Sequence, residues 1–251
     1  MTRRRMYDSE SATGRLMSAD RIATLLIIAT LGYMIVLACR RWPEARRVWL
    51  GRVLALSLIA CAATAYLQLA VTGDLNASFA LPLQVCDAVM LACVISLLRP
   101  NRFASEVAYF CGFAGTLQAA ITPDIGRRFP SWEYIEFFWA HGGVLLAVVF
   151  LIAGQGFRPR AGSMWRIFFA VNIYALVVGA LDAAFGWNYG YLCEKPVYPS
   201  LMDFLGPWPW YILSLEAVAL ASFWLLDLPW RIARRRAKSA QAEDAGSNQS
   251  M

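Results

Sequence analysis

Two side chains in this sequence have the chemistry of a nucleophile and its base. Cys86 carries a thiol, and His141 is the single histidine. An imidazole that takes a thiol proton, and later gives it to a leaving group, turns a cysteine into a nucleophile toward acyl carbonyls. Each residue also has a plainer reading. A cysteine among apolar neighbours is ordinarily a small hydrophobe, and a lone buried histidine is ordinarily a satisfied structural donor. A metal centre fits poorly, because one histidine comes with no spacing of companion ligands, no CxxC occurs and no cofactor motif is present. Cys86 follows Leu81-Pro82-Leu83-Gln84-Val85. Pro82 suits the first turn of a helix, which would set the thiol about one turn inside the positive helix end. His141 precedes Gly142 and Gly143, which admit a backbone or a ligand at close range.

The elements that position these groups must be membrane helices. Of 251 residues, 59% are hydrophobic and 16% charged, and the mean hydropathy is +0.49. That excludes a soluble two-domain enzyme. The alternating ten-residue segments of an outer-membrane barrel are absent, so the fold class is all-α. Apolar windows fall at about 20–39, 48–71, 79–98, 103–122, 134–153, 165–184 and 208–227, each long enough to cross roughly 30 Å of hydrocarbon. The sequence thus predicts a polytopic bundle of about seven spans over 20–230. An N-terminal tail, 1–19, precedes it, and a basic, disordered tail, 231–251, follows. Val36-Leu37-Ala38-Cys39 faintly resembles a lipoprotein cleavage box, but the long basic lead favours a retained helix. The net charge of +6 does not indicate nucleic acid, since the arginines cluster at window ends. The six cysteines form no disulfide framework.

With seven spans the termini lie on opposite sides. Eight of the 23 Lys and Arg then fall on the N-terminal side and fifteen on the other. Positive charge stays inside, which predicts a multi-pass protein of the cell membrane with its N-terminus outside and its C-terminus in the cytoplasm. Trp49, Trp165 and Trp230 mark the inner interface, and Trp132, Trp187, Trp208 and Trp210 the outer one.

Polar residues inside the spans gather toward the outer side: Gln68, Gln84, Cys86, Asp87, Thr116, Gln118, Thr122, Glu136, His141, Asp182 and Glu216. At 1.5 Å per residue, Cys86 and His141 both lie roughly 10 Å below that face. Polar groups in hydrocarbon are costly unless paired or facing a cavity, so their common depth predicts a polar cavity open outward. The alternative is a scatter of interhelical hydrogen bonds. The loop from Gly186 to Tyr211 is aromatic and stiffened by Pro196, Pro199, Pro207 and Pro209, and reads as a rigid lid over the outer end. Its one basic residue, Lys195, either meets a lipid phosphate or pairs with Glu194 or Asp203. On the same side, Thr122 to Pro130 adds Asp124, Arg127 and Arg128.

Several stretches together resemble the bacterial YwaF-like integral membrane family, whose vertebrate relative is transmembrane protein 164. They are Leu81-Pro82-Leu83-Gln84-Val85-Cys86, Asn101-Arg102-Phe103, Gly112 to Asp124, Phe137-Phe138-Trp139-Ala140-His141-Gly142, Asn188-Tyr189, Lys195-Pro196 and Leu205-Gly206-Pro207-Trp208-Pro209-Trp210-Tyr211. The resemblance covers about residues 75 to 215. It implies transfer of acyl chains onto phospholipids, with Cys86 as nucleophile and His141 as base. It extends substrate contact to Gln84, Gln118, Asp124, Asn188, Tyr189, Lys195, Trp208 and Trp210. The chain carries Gln84 where members often have histidine, which removes a second imidazole.

Two readings follow. In one, the chain is an acyltransferase or thioester-forming lipase whose partners are membrane lipids, with Gln118 or Asn188 facing the oxyanion. In the other, it is a transporter or small-molecule binding protein using Asp182 and Glu216 as proton or cation sites. No inverted repeat supports the second. A structural or assembly role is the third and plainest option.

Overall fold

The computed structural model describes residues 18–78, 80–196 and 200–249. The predicted N-terminal tail lies outside them except for its last two residues, as do Phe79 and Pro199. All regular structure among the described residues is helical: α1 (Ala19–Arg41), α2 (Glu44–Thr72), α3 (Val85–Leu98), α4 (Arg102–Cys111), α5 (Leu117–Ile121), α6 (Trp132–Ala153), α7 (Ser163–Phe185) and α8 (Trp210–Gln249). A π turn, Gly112–Thr116, joins α4 to α5. Two short 3₁₀ turns, Tyr189–Tyr191 and Leu201–Leu205, lie between α7 and α8.

Five helices (α1, α2, α6, α7 and α8) are long and apolar enough to cross a membrane. Their surfaces agree with lipid as solvent. Leu26, Tyr33, Leu56, Leu67, Ile173, Leu176 and Leu225 all face outward, an apolar surface far larger than a soluble monomer shows. The seven windows each contain helix, but two do not become single full-length spans. The window at 79–98 yields only the 14 residues of α3, about 21 Å, and the window at 103–122 is broken by the π turn.

The late start of α3 has a local cause. Pro82 does not open the helix; Ala80 to Gln84 runs non-helically, with Leu83 N–H donating to the Leu81 carbonyl at 2.7 Å. Backbone that leaves a helix at membrane depth needs partners inside the protein. Tyr189 supplies them: its hydroxyl accepts from Leu81 N–H at 2.9 Å and donates to the Ala77 carbonyl at 2.6 Å. Cys86 therefore stands in the first turn of α3.

Helix α6 is the centre of the bundle. Of its membrane window 44% is buried, against 11–17% in the other long helices, and it packs on α1, α2, α3, α4 and the π turn. Gly142 and Gly143 serve this packing rather than a ligand. A Cβ at Gly142 would lie 2.8 Å from Ile28 of α1, and one at Gly143 would lie 2.8 Å from Leu58 of α2. Phe110, Phe150, Leu58, Leu151 and Ile167 fill the core between them. Cys39, Cys61, Cys93 and Cys111 are buried free thiols within that packing.

At the end where α4 begins and α6 finishes, buried carboxylates are saturated. Glu106, 1% exposed, accepts from Arg160 at 2.8 Å, Ser163 at 2.6 Å and Arg166 at 3.1 Å. The hydrogen bond to Glu106, and then its negative charge, push the Arg160 pKa up. Asp227 on α8 accepts from Arg231 and Arg234, and Arg234 also donates to the Pro159 carbonyl. The basic stretch after Trp230, whose composition suggested disorder, continues α8 as helix through Gln249. Its alanines, arginines, glutamines and glutamate are strong helix formers.

Candidate functional site

At the opposite end of the bundle, α3, the π turn, α5, α6 and the 186–209 loop enclose a cavity of about 630 Å³. Cys86 and His141, 55 positions apart and on different helices, both line it. Gln84, Asp87, Thr116, Gln118, Thr122 and Glu136 share its wall, so most of the polar residues at one depth meet at one void. Asp124 joins them from the loop after α5.

The first turn of α3 presents both Gln84 and Cys86. Gln84 is the residue before the helix; its Oε1 accepts from Gly190 N–H at 2.9 Å, while its own N–H donates to Asp87 Oδ2 at 3.3 Å. Gln84 thus ties the loop to the α3 start, a task that consumes its carbonyl oxygen. The thiol of Cys86 sits one residue inside that junction, half-buried.

His141 is fixed by its own helix. Its Nδ1 lies 2.8 Å from the Phe137 carbonyl, and the Phe137 ring stacks on the imidazole at 4.0 Å between centroids. A carbonyl oxygen can only accept, so Nδ1 carries the proton and Nε2 keeps its lone pair. That is the tautomer a general base requires. No hydrogen bond joins Cys86 to His141 among the described residues; they share a cavity rather than a direct contact.

Gln118, on α5, lines the cavity with no partner on its side-chain amide among the described residues, because the hydrogen bonds at this position use its backbone carbonyl. The π turn before it delivers Gly115 and Thr116 to the same wall. Such turns re-aim side chains and recur at functional sites. The sequence signal for it was the glycine pair Gly112 and Gly115, which periodicity alone does not read as a π turn.

Asp124 is not isolated. Tyr191 donates to its Oδ2 at 2.6 Å and also lines the cavity. Tyr191 is the one non-glycine residue among those described with a left-handed backbone, φ +56°, a strained state held by its surroundings. Its carbonyl accepts from the Tyr211 hydroxyl. Burial, and then the Asp124 carboxylate, push its phenol pKa up, so the hydroxyl stays a donor through the alkaline range. Sequence reasoning passed over this residue because Tyr191 looks like one more aromatic in an aromatic loop.

Five residues expected at the substrate do not reach the cavity wall. Asn188 holds its own loop, accepting from Cys193 and Glu194 N–H and donating to the Glu194 carbonyl, each at 3.0 Å. Tyr189 is fully buried against the segment before α3. Lys195 sits 5.5 Å over the Tyr211 ring, a cation–π contact, rather than in an ion pair with Glu194 or Asp203. Trp208 donates to the Leu192 carbonyl, and both it and Trp210 face outward. Gly190, Tyr191, Pro196, Ser200 and Met202 of this loop face the void, while Asn188, Tyr189, Lys195 and Trp208 brace it. Asp182 and Glu216 also lie away from the cavity. Asp182 accepts from Tyr189 N–H at 3.0 Å, and Glu216 accepts from Asn172 at 2.9 Å.

Among the described residues no group of three His, Cys, Asp or Glu side chains is set to hold a metal ion. A model described as the TMEM164 family matches residues 16–227 of the chain. No curated protein and no solved structure matches it.

Proposed function

The chain belongs to the TMEM164 family, and from that premise we propose that this multi-pass membrane protein transfers acyl chains between lipids through a thioester on Cys86. The observation that carries the reading is the meeting of Cys86 and a His141 with a free Nε2 at one cavity. His141 Nε2 takes the thiol proton, and the sulfur attacks the carbonyl carbon of a phospholipid ester. The ester C–O bond breaks, the leaving lysolipid oxygen takes the proton from the imidazolium, and the acyl group remains on sulfur. An acceptor hydroxyl then gives its proton to Nε2 and attacks the thioester. The C–S bond breaks, and the thiolate recovers the proton. Gln118, with its uncommitted amide, is placed as the donor to the oxyanion in both steps. Closing the gap between thiol and imidazole falls to the bound substrate, as catalytic contacts commonly tighten only in the complex.

We place the cavity at the outer face and the C-terminus in the cytoplasm, on the balance of lysine and arginine between the two sides. The transporter reading would use Asp182 and Glu216, which lie away from the cavity, Asp182 accepting from Tyr189 N–H through one oxygen and Glu216 from Asn172.

The test is intact-protein mass spectrometry after incubation with mixed phospholipids. Wild type gains an acyl mass that hydroxylamine removes, and Cys86→Ala gains none. Transfer of acyl chains by Cys86→Ala at the wild-type rate would overturn the mechanism.

A further inference from the structure

A second void, about 270 Å³, lies between α3, α4 and α7. We infer that this slot holds the acyl chain of the lipid whose ester reacts at Cys86. The inference rests on the acyl-transfer reading and adds to it a seat for the substrate and a basis for chain-length selection.

Proximity to the cavity comes first. Val85, the residue next to Cys86, lines both voids, so the slot begins beside the thiol. The slot then follows α3 from Val85 to Ile95. Ten residues of helix are about 15 Å, half of the roughly 30 Å hydrocarbon thickness and so the depth of one leaflet. A chain whose ester lies beside Cys86 and which runs along α3 has this length of slot to fill.

The chemistry of the walls fits the same occupant. Alanines at 88, 92 and 170 leave the space open, and Val107 closes its side. An apolar void stays dry and takes apolar ligands. Leu91 and Phe103, both lining the slot, are 60% and 51% exposed on the face turned to lipid. A chain can therefore slide in sideways without leaving hydrocarbon, while its headgroup end meets the polar cavity. One polar atom breaks the pattern: the Tyr174 hydroxyl is buried in this wall with no protein partner among the described residues. A buried hydroxyl left alone is costly, and an oxygen of the bound lipid ester would satisfy it.

The experiment measures chain-length preference on the full-length protein. Purified protein is given dioctanoyl and dioleoyl phosphatidylcholine in equal amounts, and the ratio of octanoyl to oleoyl mass on Cys86 is read. Ala92→Leu fills the slot from α3 and Ala170→Leu fills it from α7. Each should move the ratio toward octanoyl by at least about tenfold, since pockets discriminate by methylenes on this scale. Val107→Ala, which widens the slot, guards against misfolding of the filled variants and should move the ratio the other way. Ratios unchanged in all three variants, with the adduct still forming, would overturn the slot and leave the thioester standing. Absence of either adduct on wild type would overturn the thioester reading and the slot's role with it.

Discussion

The two ends of this bundle treat their polar residues in opposite ways. At the end where Glu106 and Asp227 lie, each carboxylate is met by two arginines, with Ser163 and the Pro159 carbonyl completing the clamps. At the other end, Cys86, Gln118 and the Nε2 of His141 surround a void without pairing with one another. A buried polar group is stable when its partners are protein groups. When the partners are missing and a cavity stands in their place, the arrangement is made for something that enters. The contrast teaches that polarity at membrane depth marks function only where the hydrogen bonding is left incomplete.

The largest effect should come from the reacting atom. Cys86→Ala is expected to abolish acyl transfer while changing the melting temperature little, because the substitution removes one sulfur atom from a half-buried side chain at a cavity wall; thermal unfolding of the purified variant beside a lysolipid acylation assay checks both. Next, His141→Ala should lower kcat by about 10²–10⁴-fold, the range expected for a general base. His141→Gln should do no better, since an amide cannot carry the proton between steps. A His141→Gln variant with near-wild-type kcat would assign the base elsewhere and blur the contrast between the two ends.

A third expectation belongs to the clamp. Glu106→Gln should destabilise the protein by about 1–2 kcal/mol, below the usual cost of breaking a buried pair because Arg160 and Arg166 are each about two-fifths exposed and keep part of their hydration. Its activity per folded molecule should match wild type. Equal loss of activity and stability would show that the two ends are coupled. The smallest effect concerns Tyr191. Its phenol pKa is raised in the folded state, so the tyrosine's contribution to stability is complete below the unfolded value near 10 and falls as pH rises beyond it. Tyr191→Phe should flatten that alkaline fall in a melting-temperature series from neutral pH to above pH 10. An unchanged fall would mean that Asp124 and Tyr191 separate on unfolding without proton linkage.

Much of the architecture was legible because it depends on one-dimensional properties. Continuous hydropathy identifies the segments that become helix, and five of the seven windows become helices long and apolar enough to cross a membrane. Counting residues from window edges groups Cys86 and His141 with other polar residues of the spans, and most of that group line one cavity. The errors have non-local causes. Pro82 reads as a helix start, yet Tyr189, more than a hundred positions away, holds the segment before α3 out of the helix. Gly142 and Gly143 read as room for a backbone or a ligand, and only the fold shows that Ile28 and Leu58 of neighbouring helices take that room. The aromatic loop reads as a rigid lid, and the fold shows how it is stiffened: Asn188, Tyr189 and Trp208, expected at the substrate, use their polar atoms to brace it.

Composition and periodicity by themselves determined that this chain is a helical membrane protein and which residues are polar within it. Hydrophobic transfer energies depend on residue type and segment length, so no partner has to be known. Only the tertiary structure decided which of those polar groups are satisfied by protein and which are left facing a void. That depends on directional bonds between residues far apart in the chain: Arg160 reaching Glu106, Tyr191 reaching Asp124, and nothing reaching the amide of Gln118 among the described residues.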